Sequence, residues 1–367
     1  MLPVRKIRVV QLGVGGVGRT LVQQILSTRD HLLSRRGLRL DYFGPCDRTG
    51  YVLGEQPLSD TVLKQIVAAK AEGRSLRTVV SGKAHQDADE NACLSRLQAE
   101  DAGKVIVVDV TAAQGMGAML LQTVRRGHGV VLANKRPLAE TFGTFQELVG
   151  SGRVRYEATV AAGLPVIYTT RYLAGTGDDI VSIEGCLSGT MGYLCAKMEE
   201  GTLFSTALVE AKRMGYTKPD PREDLGGVDV ARKALILART LGWDLERADV
   251  AVEPQYPPQW DQLPVSEFLQ TVPQLDEAFA ARVVEARARR EVLRYVAGVK
   301  DGKCWVGFRS IPEGSLLGSL KGTDNIVAIH STRYQRPLII SGAGAGLEVT
   351  AAGVLQDIID LAMTLED

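Results

Sequence analysis

Asp229 and Lys233 stand four residues apart in "GYTKPDPREDLGGVDVARKALILAR" (215–239), where a turn gives way to an apolar helical stripe. That spacing puts a carboxylate and an ammonium on one helical face. Asp220, Glu223 and Asp224 load the entrance of the same helix with negative charge. Such a cluster is either a solvated helix start with an ion pair worth about 0.3–0.5 kcal/mol, or one wall of a site for a small charged molecule. Lys135, in "ANK" at 133–135, is a second candidate: at the end of an apolar strand it either reaches a ligand or caps the sheet. Other chemistries fail on spacing. His31, His85, His128 and His330 lie at no ligand spacing from one another or from a cysteine, which argues against zinc and against a Ser-His-Asp triad. Cys46, Cys93, Cys186, Cys195 and Cys304 are odd in number and scattered, so reduced thiols are expected. Any acid or base is therefore expected among lysines and carboxylates.

The elements that must position these residues begin with "KIRVVQLGVGGVGRTLVQQIL", a short strand running through G-x-G-x-x-G at Gly13, Gly15 and Gly18 into a helix. The glycines permit a tight turn, close approach of backbone to a pyrophosphate, and close packing of helix on strand; the helix N-terminus favours the negative charge. Strands and helices then alternate: "LRLDYFGPCDRTG", "SDTVLKQIVAAKAEG", "KVIVVDVT", "GMGAMLLQTVRRG" and "GVVLANK". This predicts an α/β fold, a Rossmann-type doubly wound parallel sheet over residues 1–152, binding its ligand where strands end at Gly13, Asp47, Thr111 and Lys135. Asp47 is placed to accept adenosine ribose hydroxyls, and Arg48 beside it to clamp a 2′-phosphate, so NAD and NADP both stay open.

From about residue 153 the rhythm changes, predicting a second α+β domain to 335. "RVRYEATVAAGLPVI" reads as a strand up to a Gly-Leu-Pro turn, "DDIVSIEGCLSGTMGYLCAKMEEG" as strand, turn and helix, and "FSTALVEAKRMGY" as an amphipathic helix. "EPQYPPQWDQLP" reads as a surface loop, and strand-like runs from Arg289 to Ile340 as a mostly antiparallel sheet. The segment 336–367 is a strand, a glycine turn and a helix, expected to return to the nucleotide domain. Lys+Arg and Asp+Glu both number 43, so no global field favours nucleic acid or an anionic membrane. With no apolar run approaching the roughly 20 residues of a membrane span and no signal-peptide pattern, a cytoplasmic location is expected.

Six segments in order, "GVGGVGR" (13–19), "ANK" (133–135), "YEATVAAGLPVI" (156–167), "GCLSGTMGYL" (185–194), "GYTKPDPREDLGGVDVARK" (215–233) and "GAGAGLEVTAAGVL" (342–355), resemble the homoserine dehydrogenase family. The resemblance covers the whole chain and implies NAD(P)-dependent interconversion of homoserine and aspartate 4-semialdehyde, a step of threonine and methionine synthesis. It implies the short form, without an appended regulatory domain, and a homodimer through the sheet of 153–335, which becomes the substrate-binding and dimerisation domain. It assigns the acid/base lysine to Lys233 and a second functional lysine, beside nicotinamide and substrate, to Lys135. An ordinary lysine, with a pKa near 10.4, is a poor base at neutral pH; two lysines converging on one pocket would repel each other and lower it. Thr190, Lys218, Asp224 and Asp229 fall at substrate positions. Gly13, Val14, Gly15, Gly16, Val17, Gly18, Gly215 and Gly346 fall at cofactor positions, with capping glycines the alternative for the last two. A sodium-type ion is implied on the backbone carbonyls of Glu157, Val160, Ala162 and Leu164.

One position departs from the family. Where "YTEPD" carries a glutamate for the homoserine ammonium, this chain has Lys218. Asp220, Glu223 or Asp224 takes over the ammonium, or the substrate is another small hydroxy acid or semialdehyde, or the protein binds cofactor with little turnover, or Lys218 swings into solvent.

Overall fold

The computed structural model of the chain describes residues 4–52, 56–76, 79, 84–85 and 105–365. They fall into two compact units, Met1–Gly163 with Gly346–Asp367, and Leu164–Ala345. The first holds strands β1 (Arg5–Leu12), β2 (Leu38–Asp47), β3 (Gly50–Val52), β4 (Ala84–His85), β5 (Val105–Asp109), β6 (Gly129–Leu132) and β7 (Val154–Arg155). Their order in the sheet is β4-β3-β2-β1-β5-β6-β7. The run from β2 to β7 is parallel, and β3 and β4 add an antiparallel edge. Every residue of β5 and β6 is buried, as a parallel sheet covered by helices requires. The helices here are α1 (Gly16–Arg36), α2 (Asp60–Ala71), α3 (Gly117–Arg125) and α4 (Phe142–Gly150). Ser59 and Thr141 cap α2 and α4 by accepting backbone N–H groups.

In the second unit follow α5 (Val166–Gly175), β8 (Ile180–Cys186), α6 (Gly189–Glu199), α7 (Phe204–Arg213), α8 (Arg222–Leu225) and α9 (Val228–Thr240). Then come β9 (Val250–Val252), α10 (Val265–Thr271), α11 (Asp276–Ala288), β10 (Glu291–Lys300), β11 (Lys303–Pro312), β12 (Asn325–Ser331) and β13 (Leu338–Gly342). The sheet runs β13-β12-β8-β10-β11-β9, antiparallel throughout except for β9 against β11. Helix α6 comes close to the turn at Gly322 because it carries glycines: a Cβ on Gly192 would sit 2.7 Å from the Gly322 carbonyl oxygen. The last helix, α12 (Leu347–Thr364), belongs to the first unit, where Ala351, Val354, Leu355, Ile358, Ile359, Leu361 and Ala362 join its core.

Several expectations need correction. The strand read from residue 153 is only Val154–Arg155, and it pairs with β6 in the first sheet. Beyond it the chain turns into a short 3-10 helix, Glu157–Thr159, whose first backbone N–H donates to the buried Asp357 carboxylate at 2.8 Å. Strand β13, expected in the returning segment, pairs with β12 in the second sheet; only the helix after it returns. The proline-rich loop contains a 3-10 helix, Pro258–Gln262, which buries Trp260. Helices α10 and α11 stand where no element was expected. Cys46, Cys186, Cys195 and Cys304 are buried thiols outside any disulfide; Cys93 lies outside the described residues. Among the described residues no helix is long and apolar enough to cross a membrane.

Candidate active site

In the first unit the glycine turn sits between β1 and α1, and its glycines do different work. Gly13 has φ +97°, and its N–H donates to the Cys46 carbonyl at 2.7 Å, tying the turn to the end of β2. A Cβ on Gly18 would lie 2.2 Å from the Gly13 carbonyl oxygen, so α1 can start this close to β1 only with glycine there. Gly15, the N-cap residue of α1, is exposed, and a Cβ on it would meet nothing within 4 Å. That open space, in front of a helix N-terminus with no acidic residue in its first turn, is what a pyrophosphate needs. Val14 is buried beneath the turn, and Gly16 packs on Leu347 of α12. Val17 is half-buried against the core.

At the end of β2 the Asp47 carboxylate is occupied. One oxygen accepts the backbone N–H and hydroxyl of Thr49, at 2.7 and 2.6 Å; the other pairs with Lys70 Nζ of α2 at 2.7 Å. Arg48 is exposed. Thr111 follows β5, and half-buried Lys135 follows β6. Burial pushes the Asp109 carboxyl up from its usual value, while donors on Thr111 and Asn134 pull it back. Neither Lys70 nor Asp109 was singled out in the sequence. Their partners come from other elements and leave no local signal.

The second unit holds the other candidates. Gly227, in the left-handed region at φ +67°, is the N-cap residue of α9. From the first turns of that helix Asp229 and Lys233 face each other, Oδ2 to Nζ, at 3.4 Å. Lys233 is only 8% exposed, and its Nζ donates to the Leu187 carbonyl at 2.6 Å, just before α6. Leu187 is a partner that the helical spacing could not reveal. Thr190, in the first turn of α6, donates its hydroxyl to the Tyr216 carbonyl at 2.6 Å and lies 3.4 Å from Asp224 Oδ1. The other Asp224 oxygen accepts the Lys218 backbone N–H at 2.8 Å. Burial pushes the Asp224 carboxyl up, opposed by these hydrogen bonds and by the Lys218 charge. Lys218 Nζ pairs with exposed Glu223 at 3.3 Å. Asp220 is bound by Arg222, whose Nη1 also holds the Trp260, Asp261 and Leu263 carbonyls. Asp224, Asp229, Thr190 and Lys233 thus gather around the starts of α6 and α9, with Asp220 and Glu223 committed elsewhere. Gly215 ends α7 in the left-handed region at φ +74°, and Gly346, at φ +134°, begins α12.

Among the sodium positions, Glu157 opens the 3-10 turn and Ala162 has a left-handed φ of 55°. Glu157, Val160 and Ala162 lie in the first unit and Leu164 in the second. Among the described residues no group of three or more His, Cys, Asp or Glu side chains is placed to hold a metal.

A doubly wound sheet with a glycine-rich first turn, and a second α+β unit that holds a buried lysine, is an architecture found among NAD(P)-dependent dehydrogenases. Comparison with known proteins gives the family. The homoserine dehydrogenase profile matches residues 165–359. The homoserine dehydrogenase of Emericella nidulans is 37% identical over 276 residues, covering 70% of this chain and 75% of that protein. The bifunctional aspartokinase/homoserine dehydrogenase of Haemophilus influenzae is 34% identical over 355 residues, 95% of this chain. The chain spans 42% of that bifunctional relative's length. A putative homoserine dehydrogenase from Archaeoglobus fulgidus superposes with a TM-score of 0.76 at 26% identity, covering 97% of this chain and 99% of that one. A hyperthermophilic archaeal homoserine dehydrogenase in complex with NADPH shares the fold, with a TM-score of 0.76 at 23% identity over 99% of both chains. The chain belongs to the homoserine dehydrogenase family.

Proposed function

We propose that this chain interconverts L-homoserine and L-aspartate 4-semialdehyde, with Lys233 taking the hydroxyl proton in oxidation and returning it in reduction. The observation that carries this reading is the buried Lys233 side-chain nitrogen, held by the Leu187 carbonyl and by Asp229. That nitrogen takes the proton as the neutral amine and returns it as the ammonium. Proton transfer by a positioned group contributes about 10²–10⁴-fold. Asp224 and Asp229 orient the substrate's amino and hydroxyl groups, Asp224 being the half-buried carboxylate left after Asp220 and Glu223 have taken cations. Lys135 serves at the nicotinamide and substrate, and Thr190 shapes the pocket by fixing the loop at Tyr216. The bound nicotinamide supplies the acceptor or donor of the hydride.

The glycine cradle fits a dinucleotide: a Cβ on Gly15 would fill the open space that the pyrophosphate takes. NADP(H) is the favoured cofactor. The Asp47 carboxylate, which would otherwise accept ribose hydroxyls, is taken by Thr49 and Lys70, leaving exposed Arg48 at the end of β2 for a 2′-phosphate. The NADPH in the archaeal relative is consistent with this choice. A sodium-type ion on the carbonyls of Glu157, Val160, Ala162 and Leu164 draws support from the left-handed Ala162, a conformation that costs a non-glycine residue about 1 kcal/mol. A cytoplasmic setting, in keeping with the buried thiols, and a homodimer complete the reading.

The test is an assay with both cofactors and with homoserine beside 4-hydroxybutyrate. Homoserine turnover that falls about 10²-fold or more in Lys233→Ala, with the cofactor KM unchanged, supports the assignment. Turnover of 4-hydroxybutyrate in preference to homoserine overturns the substrate. In Arg48→Ala the KM for NADPH should rise about tenfold, as for one charged hydrogen bond, with NADH little affected. Light scattering measures the oligomer, and a sodium titration of activity tests the ion.

A further inference from the structure

Asp109, the last residue of β5, is fully buried, and every group its carboxylate meets is a donor. Oδ1 accepts the Thr111 backbone N–H at 2.9 Å and its hydroxyl at 2.7 Å; Oδ2 accepts the Asn134 carboxamide at 3.0 Å. The Asp109 backbone carbonyl accepts the N–H groups of Ala133 and Asn134, at 2.9 and 3.2 Å. Buried Asn134 extends the link: its Nδ2 also donates to the Ala113 carbonyl at 3.0 Å, and its Oδ1 accepts the Arg136 N–H at 3.1 Å. The loops after β5 and β6 are thereby joined through one carboxylate and one carboxamide. Lys135 lies between Asn134 and Arg136, so its backbone is pinned on both sides. Thr111 is pinned as well, since its hydroxyl donates to Asp109 and accepts the Ala113 N–H at 3.0 Å. Its methyl faces the phosphate turn, where a Cβ on Gly13 would lie 3.0 Å from it.

We infer that Asp109 is a positioning residue for hydride transfer: its carboxylate, through Asn134 and Thr111, sets the backbone that presents Lys135 and supports the Gly13 turn. The inference rests on the assignment of Lys135 above. The donor count explains why an acid stands here. An asparagine at 109 can take the Thr111 donors on its oxygen, but its NH₂ then meets the NH₂ of Asn134. Reversing the pair, with Asp109→Asn and Asn134→Asp together, restores donor to acceptor at that contact. The Ala113 carbonyl and the Thr111 hydroxyl oxygen lose the Asn134 donor and a carboxylate oxygen faces that carbonyl, so recovery is partial.

The experiment compares Asp109→Asn, Asn134→Asp, the double variant and Lys135→Ala in steady-state kinetics, with thermal melting as the control for folding. Misplacing a reacting group by about 1 Å costs up to about 10²-fold, so each single variant at 109 and 134 should lose about tenfold or more in kcat. The KM for homoserine should change less than about twofold, and the double variant should recover part of the loss. Singles that melt earlier but keep kcat, or a double variant as poor as the product of the singles, overturn the inference. Should Asp109→Asn fail to fold, Asn134→Ala decides, with the same loss of kcat expected; unchanged kcat there also overturns it. Loss of kcat in Lys135→Ala beside normal kcat at 109 defeats the inference alone. Normal kcat in Lys135→Ala defeats the reading of Lys135 itself.

Discussion

At position 218 the ammonium that replaces the family's carboxylate is paired with exposed Glu223 at 3.3 Å, while the backbone N–H of the same residue serves Asp224. Exposed pairs of this kind are worth about 0–1 kcal/mol. Lys218→Glu is therefore expected to change the KM for homoserine by less than about fivefold, with kcat unchanged; a larger gain would return the substrate ammonium to position 218. Asp224 makes a pH prediction. Burial raises its pKa, so as pH falls through that raised value the substrate ammonium loses its acceptor. The KM for homoserine should rise toward acid, and Asp224→Asn should have a high KM that is flat with pH. For folding the sign is opposite. A raised carboxyl pKa contributes stability that is complete below the unfolded value and is lost as pH rises through the folded one. The neutral variant should thus gain stability relative to the native chain on the alkaline side, as read from melting curves against pH. At this scale the four-residue spacing of Asp229 and Lys233 was legible, because helical period alone brings them together. Leu187, Lys70 and Asn134 were not, since each meets its partner only after distant elements pack.

Glycines separate packing from binding at the level of elements. Gly18 is needed by the fold, with a Cβ 2.2 Å from the Gly13 carbonyl, whereas Gly15 faces open space at φ −75°. Gly15→Ala should keep its melting temperature, since exposed changes cost within about 0.5 kcal/mol, yet weaken NADPH binding by about tenfold or more as its methyl enters the pyrophosphate space. Gly18→Ala should destabilise the chain by about 1–3 kcal/mol or more, and cofactor affinity and melting temperature should fall together. Isothermal titration beside calorimetry distinguishes the two. The parallel strands were readable because continuous apolar runs such as "VIVVD" can only be buried. Helix α11 was not, because it buries little beyond Phe279 and Ala286 and so carries a faint apolar period. The strand expected after residue 153 stopped early because β6, its mate among the described residues, is four residues long, and the Asp357 carboxylate draws the Glu157 N–H away.

For the molecule as a whole, the division into units does not follow the chain. Residues up to Gly163 share a core with the segment from Gly346, while everything between forms its own unit. A strand, glycine turn and helix at the end suggested the return, but the contact pairing β13 with the second sheet could not be read from a local pattern. Buried Ile358 and Val354 of α12 pack in the same core as Leu21 and Ile25 of α1. Ile358→Ala should cost about 2–5 kcal/mol and lower the stability of the nucleotide-binding unit. Saturating NADPH should recover part of it, about 2.7 kcal/mol at a hundredfold excess over Kd, as a rise in melting temperature that the apo protein lacks.

Helix α12 also sets a schedule. A ribosome finishes the strands of the first sheet long before it reaches residue 347, and the intervening unit takes on the order of ten to forty seconds to translate. Throughout that interval the nascent sheet lacks the greasy cover that α12 supplies, so its core can close only once residues 347–364 have been made.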